Sequence, residues 1–482
     1  MNILMIGHSG STGYPYLVKM ADKLMEKGSK VFFAVDNAYY PRASYVDLKG
    51  YHVYYFDQWM ADHREQNIQE PMAGYPMEAS YINYERFKCV GAKRSLRNFT
   101  KSVSDGLLEK MFYFFDDIIT REKIGCILYE TVSSTLSYMA YHMAQKRHIL
   151  YIGWMISRIP GRYDLLTDPF GNIEQLKNIF LSIKIEDICE DELQDIRGYL
   201  SDIDNIRPSY MNHNPTNMRI NYFFQYLTKI GKAWKDLNLI LTSDTHKDYN
   251  AKHPLEFKLC WMRYKLLRQV KVIYLKKKFG DTDLKERYYL FPLHYQPEAS
   301  TAVNAPFYCE QGEVIKNIAF SLPPGTKLYV KDHPNGIGFM SLATYQKIFD
   351  LPNVIYIDPG ADTKRLICHS IGIVTITSTM GYEALLMKRP VLTLGKVFYA
   401  YHPYCTHIKG YEGLAEELRS MIDRKYPNFE EINIRFVKAY RDKNFEGVLL
   451  SEKDGDIDNV AESILRLAGQ GDFGEMMHED HD

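Results

Sequence analysis

The sequence predicts an α/β protein of two similar halves, each an open, mostly parallel sheet with helices on both faces. Three observations predict it. At 482 residues the chain exceeds what one ordinary hydrophobic core organises. Short apolar runs alternate with segments of helical period, and this series occurs twice along the chain. Between the two series lies a basic, aromatic-rich helical stretch. Together they predict two facing Rossmann-like domains with a cleft between them and a helical insertion and connector.

The first series opens with Asn2–Gly7, a buried strand ending at glycine. A helix over 16–27 and a strand over Val31–Asp36 follow. Val53–Phe56 and Ile124–Glu130 read as further strands, then a helix through Ser137–Gln145 and a strand over Ile149–Ile152. The second series runs through the strands Tyr288–Phe291, Lys327–Val330, Val354–Ile357, Ile371–Ile376 and Val391–Leu394. Helices at Val314–Phe320 and Gly381–Met387 interleave with them. The predicted organisation is therefore an N-terminal domain over 1–250 with a helical insertion at about 172–245 and a connector over 251–285. A second domain follows over 286–425, then closing helices and an acidic tail over 426–482.

Composition excludes several classes. The formal net charge of −1 supplies no global field to gather nucleic acid, so an anion site must be local. The seven cysteines are scattered without a C-x-x-C pair, which argues against a disulfide framework or structural zinc and fits a reducing cytoplasm. Met1–Gly7 lacks a basic lead and reads as a strand rather than a signal peptide. No run of about 18 apolar residues is present to span a bilayer. Asp281-Thr-Asp283 and Asp454-Gly-Asp456 resemble metal-binding D-x-D pairs but sit in turn and cap contexts, so no metal is expected.

In open α/β sheets, ligands bind in loops at the carboxyl ends of strands. Three such loops in the second half carry chemistry. Thr377-Ser378-Thr379-Met-Gly381 leads from a strand into a helix, bringing hydroxyls and free N–H groups suited to a nucleotide phosphate. Glu383, one turn on, can accept from ribose hydroxyls or simply complement the helix. Lys331-Asp332-His333-Pro334 ends another strand. There His333 can donate to a phosphate or protonate a leaving group, and Lys331 can offset charge. Phe291-Pro-Leu-His294-Tyr-Gln296-Pro-Glu298 is a stiff loop holding His294, Gln296 and Glu298.

In the first half, Gly7-His8-Ser9-Gly10-Ser-Thr-Gly13 lacks the lysine of a P-loop and the dinucleotide spacing. His8, Ser9 and Gly10 there can meet an acceptor or sugar. Glu130 ends a strand and is the candidate general base for an acceptor hydroxyl. Arg158 and Arg162 frame a rigid loop able to grip an anion.

The second-half motifs resemble the bacterial capsule polysaccharide biosynthesis proteins, a family that includes Kdo transferases. The resemblance lies in Phe291–Glu298, Lys331–Pro334, Thr377–Leu386, Arg389–Gly395 with Phe398-Tyr399, and Ser157–Arg162. It implies a GT-B fold and metal-independent glycosyl transfer, with His333, Ser378 and Thr379 on the donor phosphate. CMP-Kdo is the favoured donor and UDP- or GDP-sugars the alternative. The acceptor would be an oligosaccharide or glycolipid, and no cofactor is needed beyond the nucleotide sugar.

A nucleotide-sugar epimerase or hydrolase of the same fold, a dinucleotide-dependent oxidoreductase using Asp36, and a non-catalytic polysaccharide-binding protein remain alternatives. The expected location is cytoplasmic. Residues 258–278 are candidates for peripheral contact with the inner membrane face, or for a solvated linking helix.

Overall fold

A computed structural model describes residues 1–8, 13–38, 41, 44, 46–63, 101–206, 254–296 and 298–469. These fall into two compact units. The first draws on Met1–Pro169, Met218–Met262 and Asn444–Asp482, the second on Phe170–Asn217 and Arg263–Lys443.

The first unit begins with β1 (Asn2–Gly7), α1 (Tyr14–Glu26), β2 (Lys30–Val35), β3 (His52–Tyr55) and α2 (Phe56–Asp62). It continues with α3 (Lys101–Glu122), β4 (Cys126–Glu130), α4 (Thr135–Lys146), β5 (Leu150–Ile156) and β6 (Arg162–Leu166). The C-terminal strand Phe445–Glu446 lies at one edge of the sheet, followed by β6, β5, β4, β1, β2 and β3. The five strands from β5 to β3 pair in parallel. β6 and Phe445–Glu446 run antiparallel. The near-continuous apolar runs Ile3–Ile6 and Val31–Val35 are buried, as a sheet covered on both faces requires. Winding proceeds outward from β1 through β2 to β3, then restarts at β4 on the other side of β1. The reversal therefore lies between β1 and β4.

The second unit contains α5 (Ile173–Ser182), α6 (Glu190–Ser201), the part of α7 (Pro254–Lys276) from Arg263 onward, β7 (Tyr288–Pro292), α8 (Gln311–Ser321), β8 (Lys327–Lys331) and α9 (Leu342–Phe349). After them come β9 (Val354–Ile357), α10 (Thr363–His369), β10 (Gly372–Thr375), α11 (Met380–Leu386) and β11 (Val391–Thr393). The series closes with β12 (Cys405–His407), α12 (Leu414–Asp423) and α13 (Phe429–Lys443). All six strands are parallel, in the order β12-β11-β10-β7-β8-β9. This is the 3-2-1-4-5-6 order of the dinucleotide-binding folds, with its switch point between β7 and β10. Tyr288 and Tyr329 stack across β7 and β8 at 4.1 Å, and the core gathers Phe291, Ile315, Val330, Tyr345 and Val374 around the sheet.

The two parallel-sheet units are those the sequence predicts, but the boundaries differ. The helical segment after 172 was expected on the first unit, yet its described part, α5 and α6, packs on α13 of the second. Arg435 donates to the Phe180 carbonyl at 3.0 Å and covers the Phe180 ring, while Lys438 pairs with Glu192 at 3.3 Å. The rest of the expected insertion lies outside the described residues. The closing helices also divide. Helix Asp454–Gly469 places Ile457, Val460, Ala461 and Ile464 in the first core, against Leu17, Met20 and Leu24 of α1. An amphipathic helix specifies which face it buries, not which core receives it.

Candidate active site

The switch point of the second unit is built from the loops after β7, β8 and β10. His294 follows β7 and is buried. Gln311, opening α8, holds its backbone from both sides: Oε1 accepts the His294 N–H at 2.7 Å and Nε2 donates to its carbonyl at 3.1 Å. The same amide donates to Gln296 Oε1 at 2.8 Å, and Gln296 Nε2 donates to the Cys309 carbonyl. The stiffness the prolines implied is thus completed by a glutamine network.

The His294 ring faces β10. Its Nε2 accepts the Thr377 backbone N–H at 3.0 Å, so the neutral ring carries its hydrogen on Nδ1. That N–H finds no acceptor of hydrogen-bond geometry among the described residues. Burial, with a lesser contribution from His333, lowers the His294 pKa to about 3; Gln311 opposes weakly. At neutral pH the ring is uncharged and offers one fixed, buried donor beside the loop after β10.

His333, after β8, is half-buried. Its Nδ1 accepts from Asn335 N–H at 3.1 Å, leaving the hydrogen on Nε2. Burial, then the Lys331 charge, bring its pKa down to about 4. Asp332 holds this loop: its carboxylate accepts from Tyr345 at 2.8 Å, Tyr356 at 2.7 Å and the His333 backbone. Burial outweighs those bonds and pushes its pKa up to about 6. Lys331 is also buried, donating to the Pro359 carbonyl at 2.5 Å, and burial lowers its pKa to about 8. Lys331 therefore joins the loops after β8 and β9 rather than standing open to a ligand.

Ser378 and Thr379 lie at the entry to α11, both half-exposed. Ser378 Oγ accepts from Met380 N–H at 3.2 Å, and its own N–H donates to Thr375 Oγ1 at 3.0 Å. Thr379 occupies the N-cap position without a side-chain capping bond, leaving its hydroxyl uncommitted to the helix end. Gly381 is required here, because a Cβ would lie 2.4 Å from the Tyr399 hydroxyl, which itself donates to the Ser378 carbonyl at 2.5 Å. Glu383 pairs with Lys364 of α10, 2.8 Å away, though the contact lacks hydrogen-bond alignment and leaves the buried amine unsatisfied. Glu298 is exposed and accepts from Ser300 Oγ at 2.8 Å.

The first unit brings His8 and Glu130 to its own switch point, at the ends of β1 and β4. His8 is buried; Ser9 and Gly10 lie outside the described residues. Glu130 is half-buried and accepts from Tyr129 OH at 3.1 Å. Ser134, downstream of it, is spent in a capping box with Ser137 at the start of α4. Arg158 and Arg162 border the turn of the β5–β6 hairpin, where a rigid loop had been expected. Arg162 is engaged by Glu446 at 2.5 Å, so the two arginines do not form an open clamp.

Among the described residues, no three His, Cys, Asp or Glu side chains cluster as a metal site. Asp283 Oδ1 accepts from Lys285 N–H at 2.8 Å and Asp456 accepts from Ser451 at 2.5 Å, both as local turn or cap contacts. Asp36 is buried and its carboxylate accepts from Asn37 N–H. Gln311, Lys364, Tyr345 and Tyr356 are the site residues that sequence reasoning did not single out. Each acts on a partner distant in sequence, so no local pattern marks it.

Residues 233–403, less than half of the chain, match the sequence model of the family described as capsule polysaccharide biosynthesis protein. No curated protein matches the chain. Similar solved structures include a KpsC, beta Kdo 2,7 transferase, from Thermosulfurimonas dismutans. It is 12% identical, with TM-score 0.35, covering 78% of this chain and 94% of that one. Another is UDP-GlcNAc 2-epimerase from Neisseria meningitidis bound to UDP-GlcNAc, at 14% identity and TM-score 0.30, covering 97% and 100%. The glycosyltransferase VinC in complex with DTDP is 11% identical with TM-score 0.28, covering 98% and 100%. Likenesses this slight carry no functional argument; the fold class rests on strand order.

Proposed function

We propose, from the premise that residues 233–403 are a capsule polysaccharide biosynthesis region, that the protein is a nucleotide-sugar-dependent glycosyltransferase building a surface polysaccharide or glycolipid. The observation that carries the reading is the convergence of His294, His333, Ser378 and Thr379 at the switch point of an all-parallel sheet. Neutral imidazole donors beside hydroxyls suit a phosphate without needing a metal. Two N–H groups from rings that stay uncharged at pH 7 give directional bonds, while Lys364 supplies a nearby cation whose amine is not fully used.

In this reading the donor nucleotide lies on the second unit. His333 Nε2–H bonds the phosphate and stabilises the charge that grows as the glycosidic bond breaks. Glu383, held by Lys364, receives the ribose hydroxyls. Glu130 of the first unit serves as base for the acceptor hydroxyl, with His8 contributing to the acceptor site. CMP-Kdo is the favoured donor, on the resemblance of the three loop motifs; a UDP- or GDP-sugar is the alternative. The test is incubation with CMP-Kdo and capsule-type oligosaccharide or glycolipid acceptors. The proposal requires CMP release coupled to an acceptor mass gain of one sugar, abolished in His333→Ala. Release without acceptor gain points to a hydrolase, and neither with any nucleotide sugar refutes transfer.

A further inference from the structure

The outward face of α7 carries an apolar stripe that the second unit leaves uncovered. Leu266, Val270 and Ile273 are 64%, 67% and 57% exposed, at the spacing of one helical face, and Leu267 and Tyr274 widen it. The opposite face fixes this orientation. Leu275 is wholly buried, Arg268 donates to the carbonyls of Ile337 and Asn335 at 2.7 and 2.8 Å, and Lys271 donates to those of Gly338 and Met340. The helix cannot roll its stripe inward without giving up the loop that carries His333.

Charge selects the occupant. Residues 263–278 hold seven Lys or Arg and no Asp or Glu, in a chain whose formal net charge is −1. Exposed Arg263 lies towards one end of the stripe, and exposed Lys276, Lys277 and Lys278 lie at the other. A second copy of this helix would set basic end against basic end in either direction. An anionic bilayer satisfies both features at once: apolar side chains enter the acyl boundary while the lysines meet headgroup phosphates. No helix among the described residues is long and apolar enough to cross a membrane, so the helix would lie in the interface plane.

We propose that α7 docks the protein on an anionic phospholipid surface through Leu266, Leu267, Val270, Ile273 and Tyr274, with Arg263 and Lys276–Lys278 as the electrostatic component. The inference goes beyond glycosyl transfer, and vesicle binding is read without donor or acceptor.

The experiment is co-sedimentation of the full chain with phosphatidylcholine vesicles, with and without phosphatidylglycerol, in low and high salt. The expected result is binding to the anionic vesicles alone, weakened by salt. Val270→Glu with Ile273→Glu, and separately Lys276→Glu with Lys277→Glu and Lys278→Glu, should each lower apparent partitioning by about tenfold or more. These side chains are exposed, so unfolding midpoints should stay unchanged. Absence of anionic-vesicle binding, equal binding to neutral vesicles, or wild-type binding by both folded variants would overturn the proposal. So would a solution dimer broken by Val270→Glu with Ile273→Glu without any vesicle binding.

Discussion

His294 and Thr377, 83 residues apart, meet through a 3.0 Å bond from the Thr377 backbone N–H to the imidazole Nε2. The bond spans the place where the winding of the second sheet reverses, between β7 and β10. It fixes the tautomer of one residue and the entry geometry of the loop carrying Ser378 and Thr379. Replacing His294 by Ala leaves a buried N–H without an acceptor. The expected cost is about 1–3 kcal/mol in denaturant unfolding, together with weakened nucleotide binding. A fully stable variant with normal nucleotide affinity would show that the bond organises nothing.

The Lys364–Glu383 pair is testable by a double-mutant cycle. Both side chains are largely buried, at 18% and 17% exposure. Glu383→Gln strands a cation and should destabilise by about 1–3 kcal/mol, whereas adding Lys364→Met should recover most of the loss. If Glu383 also receives ribose, the double variant stays weak in nucleotide binding although its stability returns. Recovery of both would confine the pair to a structural part.

Gly381→Ala forces a Cβ onto the Tyr399 hydroxyl and ring. The expected loss is about 1–3 kcal/mol by thermal or chemical unfolding. Tyr399→Phe should relieve only part of it, because the Cζ atom would still lie 2.8 Å from the added methyl group. An Ala variant as stable as the parent would mean that α11 shifts freely.

Stability should fall as pH drops below about 6.5. The pKa values of His294, His333 and His402 are lowered to about 3, 4 and 4, so the unfolded chain takes up protons that the folded chain refuses. Each group's contribution is complete above pH 6.5 and lost progressively towards its folded value. Asp332, raised to about 6, works in the opposite sense: its folded carboxyl binds a proton between about pH 6 and 4 that the unfolded one does not. Denaturant titrations from pH 7 to 5 should therefore show stability rising with pH. His402→Asn should reduce that slope by up to one proton, since buried His402 bonds Asn433 away from the switch point. A flat profile would contradict the burial of these rings.

The alternation of Tyr288–Phe291, Lys327–Val330 and Ile371–Ile376 with helices made the second sheet legible, because fully buried parallel strands write themselves as apolar runs. Strand order places His294, His333, Ser378 and Thr379 at the carboxyl ends where sequence reasoning looked for them. The hairpin strand Arg162–Leu166 was less legible: it is antiparallel, and its polar start resembled a loop. Gln311 and Lys364 carried no local signal, since each is defined by a partner in another βα unit. The assignment of Asp454–Gly469 to the first core was hidden for the same reason. Its periodicity specifies an apolar face without naming the α1 residues that cover it.

The most direct test of the central claim is nucleotide binding by thermal shift across CMP, CDP, UDP, GDP and NAD, on the parent and on His333→Ala. A ligand confined to the folded state raises the melting temperature with concentration. The account predicts stabilisation by CMP that is lost in the variant while the unliganded midpoint changes little. Stabilisation by NAD alone, or none by any nucleotide, would contradict it.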